Sequence, residues 1–395
     1  MTQQFEYRKP QSQAELQQLG RILVQCFNAP PTPEPVFLNR IGIDNVRVLL
    51  DRSEIIGGCG MLHLGQWYNG GSVPMVGISG VGIAPEHRGK GAAIALMRAA
   101  LQELHDSCGV AQSANREVPL SVLYPATQIL YRKAGYEQAG IRCTWEIPTA
   151  TLQVKSQALS FAKTPLEIDS FHSMYESQAR SINGNLDRNE VIWKNLLDAQ
   201  DKALYAYTIS DQGYVIFEPW NDGEHDNIAI RDWTLLTPSA IDQFWTFFSQ
   251  HRLQIKTIRW KSAPIDALTL RLPEQTAQVR SLDRWMLRIV DLKAAIEQRR
   301  YPPFVSAELH LEVQDDWFAR NTGKFVLTVE NGVGQITKGG RGDLQMDIRG
   351  LSPLYTGLFT ARQLQRCGKL IGTDAALTSA EQLFSGSAPW MPDFF

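Results

Sequence analysis

The segment from Val76 to Leu104, VGISGVGIAPEHRGKGAAIALMRAALQEL, limits what this chain can fold into more than any other. It opens as a β-branched strand spaced by glycines. A short turn containing Pro85 follows, then the loop Arg88-Gly89-Lys90-Gly91-Ala92-Ala93. The loop runs directly into an amphipathic helix in which Ile94, Leu96, Met97, Ala100, Leu101 and Leu104 recur at helical spacing. Unpaired backbone N–H groups converge where such a loop meets a helix, and the helix dipole adds positive charge, so the junction attracts anions. Glycines let the backbone approach a bulky phosphate, and Arg88 and Lys90 add cations. The loop is not a P-loop, because no Gly-Lys-Ser/Thr closes it, nor is it a Gly-x-Gly-x-x-Gly dinucleotide fingerprint.

The pattern Arg-x-x-Gly-x-Ala, from Arg88 to Ala93 after the strand-like Val-Gly-Ile-Ala-Pro, resembles the pyrophosphate loop of the GCN5-related N-acetyltransferases. The resemblance implies acetyl-coenzyme A as the ligand of the loop. The bland alternative is an ordinary strand-to-helix connection.

Bulk properties narrow the partners. Among 395 residues the net charge is only −2, so no global field draws in nucleic acid. The N-terminus MTQQFEYRKP has no apolar core of a secretory signal, and no stretch approaches a membrane span. Five cysteines are dispersed at 26, 59, 108, 143 and 367, as expected of reduced thiols in a cytoplasm. No His-x-x-x-His pair occurs, so no metal is expected.

The chain reads as mixed α/β (α+β) in three domains: 1–147, 148–284 and 285–395. In the first, Leu16, Leu19, Ile22, Leu23 and Phe27 form the stripe of a helix over 11–28, ended by the Pro-rich Asn28–Val36. Strands are predicted at 46–51, 54–64, 73–83, 119–124 and 141–148, with a short helix at 127–134. The second domain repeats this rhythm. Its strand, Pro turn and helix, from Ile228 to Arg252, align with the cofactor-loop segment but lack every glycine of the loop, so it reads as a degenerate copy. Trp233, Trp245, Phe247 and Phe248 read as core, with a pocket lining as the alternative. In the third domain, Arg284–Arg300 reads as strand then helix, Phe325–Thr337 as a hairpin about Asn331-Gly332, and Ala375–Phe384 as a closing helix. An antiparallel sheet with helices on one face is the simplest assembly.

Two acetyltransferase-like domains and a small α+β domain resemble the enhanced intracellular survival (Eis) family, whose last domain looks like a sterol carrier protein 2 fold. The cofactor loop, Leu130–Tyr136, Arg284–Glu297 and the end Pro389–Phe395 carry the resemblance. It implies tandem GNAT-fold domains and acetyl transfer from acetyl-CoA to a small-molecule or peptide amine, aminoglycoside-like, polyamine or lysine. It also implies a homo-hexamer. By the same resemblance, the main chain of Val81 and Ile83 lies beside the pantetheine arm, and Arg88, Gly89, Lys90, Gly91, Ala92 and Ala93 hold the pyrophosphate. Tyr131, placed before Gly135-Tyr136, becomes the general acid, with Tyr124 and Tyr136 as structural rivals. The carboxylate of the last residue, Phe395, becomes the base, threaded into the first domain; Glu86 and Asp393 are the other carboxylates in reach. The alternative classes are a lipid or acyl-CoA carrier led by the third domain, and an acetyl-CoA sensor without turnover.

Overall fold

The computed structural model describes residues 5–29, 36–108, 117–153, 159–199 and 202–395. Residues 30–35 of the expected Pro-rich break lie outside them. In the first third of the chain the elements are β1 Glu6–Arg8, α1 Gln13–Phe27, α2 Val36–Ile41, β2 Val46–Asp51, β3 Glu54–Tyr68, β4 Gly71–Ile83, α3 Ala92–Ser107, β5 Leu120–Leu123, α4 Gln128–Lys133 and β6 Glu137–Pro148. The middle third holds β7 Phe161–Lys163, α5 His172–Ala179, β8 Leu186–Asp187, α6 Glu190–Leu197, β9 Tyr205–Ile209, β10 Gly213–Asn221, β11 Asp226–Leu235, α7 Pro238–Ser249, β12 Thr257–Ser262 and β13 Gln278–Ile289. The last third holds α8 Leu292–Gln298, β14 Ala307–Gln314, β15 Gly323–Glu330, β16 Val333–Lys338, β17 Leu344–Asp347, α9 Ile348–Thr356, α10 Ala361–Arg366, β18 Leu370–Gly372 and α11 Asp374–Leu383.

Local chemistry accounts for several boundaries. Ser12 caps α1 by accepting from the Glu15 N–H, and Asn28 ends it in the left-handed region at φ 50°. Leu16, Leu19 and Leu23 form its buried stripe. The β15–β16 turn has φ 52° at Asn331 and 74° at Gly332, the two positive values that a two-residue hairpin needs. Asn69-Gly70 makes the same turn, at 47° and 83°, between β3 and β4. The sequence reading ended those strands at 64 and restarted at 73; the Asn-Gly pair is the signal that extends both.

Most strands form one sheet in the order β1-β2-β3-β4-β5-β13-β6-β12-β11-β10-β9-β7, with β8 pairing β3. The order contains an exchange. Strand β6, which ends the first repeat, pairs β12 of the second, and β13, which ends the second, is inserted between β5 and β6. The strand Arg284–Val290 was expected to open the third domain. It instead lies inside this sheet, because its apolar residues Trp285, Met286, Leu287 and Ile289 are needed there and are wholly buried. The third unit has its own sheet, β16-β15-β14-β17-β18. It is mixed rather than antiparallel, since β14 and β17 run parallel from Leu311↔Leu344 to Gln314↔Asp347. Trp245 and Phe248 are fully buried core, as the sequence suggests.

The β6–β13 seam requires a glycine. A Cβ at Gly140 would lie 1.8 Å from the Cζ2 atom of Trp285, a ring with no exposure. Gly140→Ala should therefore destabilise the protein by at least about 2 kcal/mol, the cost of overpacking a rigid core. A urea titration of mutant and wild type checks it; matching midpoints would show that the seam can move aside.

Candidate functional site

Strands β4 and β5 run parallel for three residue pairs, Met75↔Leu120, Val76↔Ser121 and Gly77↔Val122, and then part. Beyond that point one edge of β4, from Ile78 to Ile83, has no strand partner among the described residues. The other edge stays on β3, but with an irregularity: Gly60 faces Ser79 and Gly58 faces Gly82, so Gly80 and Val81 together oppose Cys59. Gly80 takes φ 60° to make this bulge, which re-aims the main chain at the open edge. Val81 and Ile83 thus lie on the free arm of a fork.

The arm leads into the loop. Gly89 and Gly91 adopt φ 75° and 84°, and neither would bring a Cβ within 4 Å of another atom. Glycine is needed there for the backbone conformation, not for lack of space, and a β-carbon would cost about 1–2 kcal/mol. Gly91 is the N-cap of α3, and no side chain caps that helix; Ala92 and Ala93 open it. The second repeat differs at the equivalent place. There the Thr237 side chain accepts from the Ala240 N–H and Pro238 occupies the first turn, so the end of α7 is already closed. The two cations are tied to main chain. Arg88 Nε donates to the Ile83 carbonyl at 3.0 Å, and Lys90 Nζ to that of Glu86 at 2.9 Å. Arg88 Nη2 also reaches Cys26 Sγ at 3.2 Å, a neighbour that the sequence does not announce. Glu86 itself is exposed.

Tyr131 sits on α4, 6% exposed, against Tyr136 in a T-shaped contact at 6.1 Å. Among the described residues its hydroxyl has no hydrogen-bond partner. Burial, with a smaller contribution from Cys59, pushes its pKa up to about 12. Tyr136 differs: its hydroxyl is 2.6 Å from Ser121 Oγ in a closed interior pair.

The C-terminal tail crosses the molecule to the fork. Trp390 stacks on Trp233 at 6.2 Å, its N–H donates to the Asn183 carbonyl, and its own carbonyl accepts from Asn185 Nδ2. Ile141 of β6 donates to the Pro389 carbonyl and accepts from the Met391 N–H. Arg142 Nε donates to the Pro392 carbonyl at 3.0 Å, and the Tyr124 hydroxyl to that of Asp393 at 2.8 Å. Arg188 Nε meets Asp393 Oδ1 at 2.9 Å. Phe395 ends the path, 9% exposed, with its ring over Gly77, the last paired residue of β4. Tyr124 and Phe394 stack at 4.7 Å beside a pocket of about 650 Å³ that Phe27, Gln128, Gln138, Asp283 and Arg284 also line. A larger cleft, about 790 Å³, lies by Lys9, Arg47, His63 and Glu103, and reaches neither the loop, Tyr131 nor Phe395. The smaller pocket is lined by none of those three either, but its wall holds Phe394, the neighbour of Phe395, and Tyr124, which follows β5.

The sequence reading named the loop, Tyr131 and Phe395. It missed Gly77, Arg142 and Arg188, which act through contacts remote in sequence, and it set Tyr124 aside as structural. The described residues contain no cluster of metal-ligating side chains.

Three stretches match family models: residues 6–139 and 184–289 each match an acetyltransferase (GNAT) domain, and 292–392 a sterol carrier protein domain. A GCN5-related N-acetyltransferase from Anabaena variabilis is 50% identical, superposes with a TM-score of 0.95, and covers 99% of this chain and 100% of its own. N-acetyltransferase Eis of Mycobacterium tuberculosis is 25% identical over 327 residues, 77% of this chain and 76% of that protein. Eis1 from Mycobacterium abscessus, 22% identical, shares the fold with a TM-score of 0.81 over 99% of this chain and 100% of its own.

A Cβ at Gly77 would stand 2.6 Å from the Phe395 ring. Gly77→Val should push the ring off β4 and loosen the end of the tail. Carboxypeptidase should then remove Phe395 about tenfold faster than from wild type, read by intact mass; equal rates would show that the ring is not held by β4.

Proposed function

This chain belongs to the Eis-like GCN5-related N-acetyltransferases, and we propose that it carries an acetyl group from acetyl-CoA to the primary amine of a small molecule or peptide. One observation carries this reading. The open edge of β4 forms one arm of a fork, with the C-terminal Phe395 at its base and the Gly-rich loop with its uncapped helix at its far end. Acetyl-CoA supplies an activated thioester. The loop fits its pyrophosphate: Gly89 and Gly91 leave the backbone bare, and the N–H groups of Ala92 and Ala93 open α3 without a side-chain cap. Arg88 and Lys90 add charge to that binding. Val81 and Ile83 offer main-chain groups to the pantetheine arm and the thioester oxygen.

Two residues handle protons in this reading. An amine acceptor arrives mostly protonated at neutral pH, and the Phe395 carboxylate attracts it and takes its proton, directly or through water. Tyr131 donates to the departing sulfur. With its pKa pushed up to about 12, it stays protonated wherever the protein is assayed. The family resemblance points to aminoglycoside-like amines, polyamines and lysine side chains as acceptors. The same family resemblance makes the enzyme a cytoplasmic homo-hexamer; a light-scattering mass other than that of a hexamer would count against it. No helix among the described residues is long and apolar enough to cross a membrane. The rival lipid-carrier reading has less support. Leu311, Leu327, Leu351 and Tyr355 fill the interior of the third unit, and the pocket described there is lined by the charged or polar Glu312, Gln345, Asp347, Arg349 and Lys369 beside the apolar Val313, Met346, Leu370 and Ile371.

Coenzyme A release over a panel of primary amines tests the reaction; no release with any amine would oppose it. Adding residues after Phe395 turns its carboxylate into an amide, so a C-terminal extension should cut kcat about a hundredfold or more. The same extension at the N-terminus should leave kcat unchanged. Tyr131→Phe should lower kcat by about a hundredfold with KM for acetyl-CoA little altered. Because an acid is competent below its pKa, Tyr131 should produce no alkaline fall in rate below about pH 10. A fall there that vanishes in Tyr131→Phe would contradict the value of about 12.

A further inference from the structure

We propose that Arg188 is a positioning residue for the C-terminal carboxylate, acting through Asp393 two residues before the chain end. The proposal rests on the reading of the Phe395 carboxylate as base. Arg188 follows β8, the short strand that joins the second repeat to β3 at Gly65 and Gln66. Its side chain is 1% exposed. Nη1 and Nη2 grip Asp232 of β11 at 2.7 and 2.9 Å, a fork-to-fork pair that leaves the Nε–H for another acceptor. That nitrogen points at Asp393 Oδ1, 2.9 Å away and 205 positions along the chain. The guanidinium packs into a corner of two aromatic rings set edge to face, with Tyr175 at 3.7 Å and Trp193 at 4.8 Å from Cζ. The Tyr214 hydroxyl holds Asp232 from the far side at 2.6 Å. Every group that fixes Arg188 therefore comes from the second repeat.

Charge arithmetic sets this contact apart from packing. Asp232 already pairs with Arg188, so Asp393 is a second carboxylate on that guanidinium, with Arg142 the other cation acting on it, and among the described residues its Oδ2 is buried without a partner. Burying such a group is costly, and an apolar residue of similar size would often anchor the tail at least as stably. What the carboxylate adds is direction. A charge-assisted bond to a guanidinium that cannot turn fixes residue 393 in place and orientation. Two further residues span at most about 7 Å, so the terminal carboxylate is confined near the fork. The Tyr124 hydroxyl on the Asp393 carbonyl, and Gly77 under the Phe395 ring, complete that register. The second repeat, whose helix end is closed to pyrophosphate, thus serves the reaction as the socket of the tail.

The test uses the full chain with its native C-terminus. Asp393→Asn keeps the shape of the side chain and removes its charge, leaving the Arg188–Asp232 pair intact. It should lower kcat about tenfold to a hundredfold, the range expected when a reacting group is displaced by about an ångström. KM for acetyl-CoA should stay within about twofold, because the loop is untouched. Carboxypeptidase should release Phe395 about tenfold faster. Arg188→Lys, which keeps the charge and loses the fork, should shift kcat and release in the same direction. Wild-type kcat in Asp393→Asn, alongside an inactive Phe395 deletion, would overturn the positioning role and leave the base assignment standing. A fully active Phe395 deletion would remove the base assignment and this inference with it. A loss of kcat matched by an equal loss of acetyl-CoA binding and of folded protein would reduce the contact to a structural one.

Discussion

The antiparallel pairing of β6 with β13 is the interaction on which the rest of the molecule depends. It runs from Gln278↔Glu146 to Leu287↔Glu137. Each strand ends one repeat and is built into the sheet of the other. Because β13 also pairs β5, two half-sheets with an edge apiece become a single continuous one. That closure removes two exposed strand edges, which would otherwise invite pairing with other chains. It also sets the geometry of the site, since β6 carries Ile141 and Arg142, the residues that receive the tail.

The tail is docked by its backbone as much as by its aromatic rings. The carbonyls of Pro389, Trp390, Pro392 and Asp393 and the N–H groups of Trp390 and Met391 all have partners on the first two units. A buried unpaired amide is costly, so a segment with this many satisfied groups has one preferred register. Trp390 and Phe395, nearly buried, supply the apolar contribution. Phe394 is 64% exposed yet stacked between Tyr124 and Arg142, which places an aromatic wall at the mouth of the pocket.

The two repeats also show how one fold leaves a helix N-terminus open or closes it. Both present a strand followed by an apolar helix. In the first, Gly91 caps α3 with nothing but backbone. In the second, the Thr237 side chain accepts from the Ala240 N–H, and Pro238 brings no N–H of its own to the start of α7. The difference lies in two or three residues of capping chemistry and leaves the packing of each helix on its sheet intact. The second repeat instead supplies contacts that hold the tail, through the buried charges of Arg188 and Asp232 and the stacking surface of Trp233.

The sequence by itself determined whatever depends on neighbours in the chain. The Gly-rich loop into an amphipathic helix, the stripe of α1, the Asn331-Gly332 hairpin and the missing glycines of the second repeat are local patterns of dihedral preference and period, and each could be read directly. Tyr131 and the aromatic end at Phe395 were legible through their resemblance to a family. The tertiary structure alone decided the exchange of β6 and β13, because a strand's apolar pattern states that it is buried and not which partner buries it. It alone assigned Gly77 to the Phe395 ring, and Arg188 to an aspartate 205 residues away. Contacts of that span leave no period in the sequence. They exist only once the hydrophobic cores of both repeats have closed and the remaining polar groups must find partners inside.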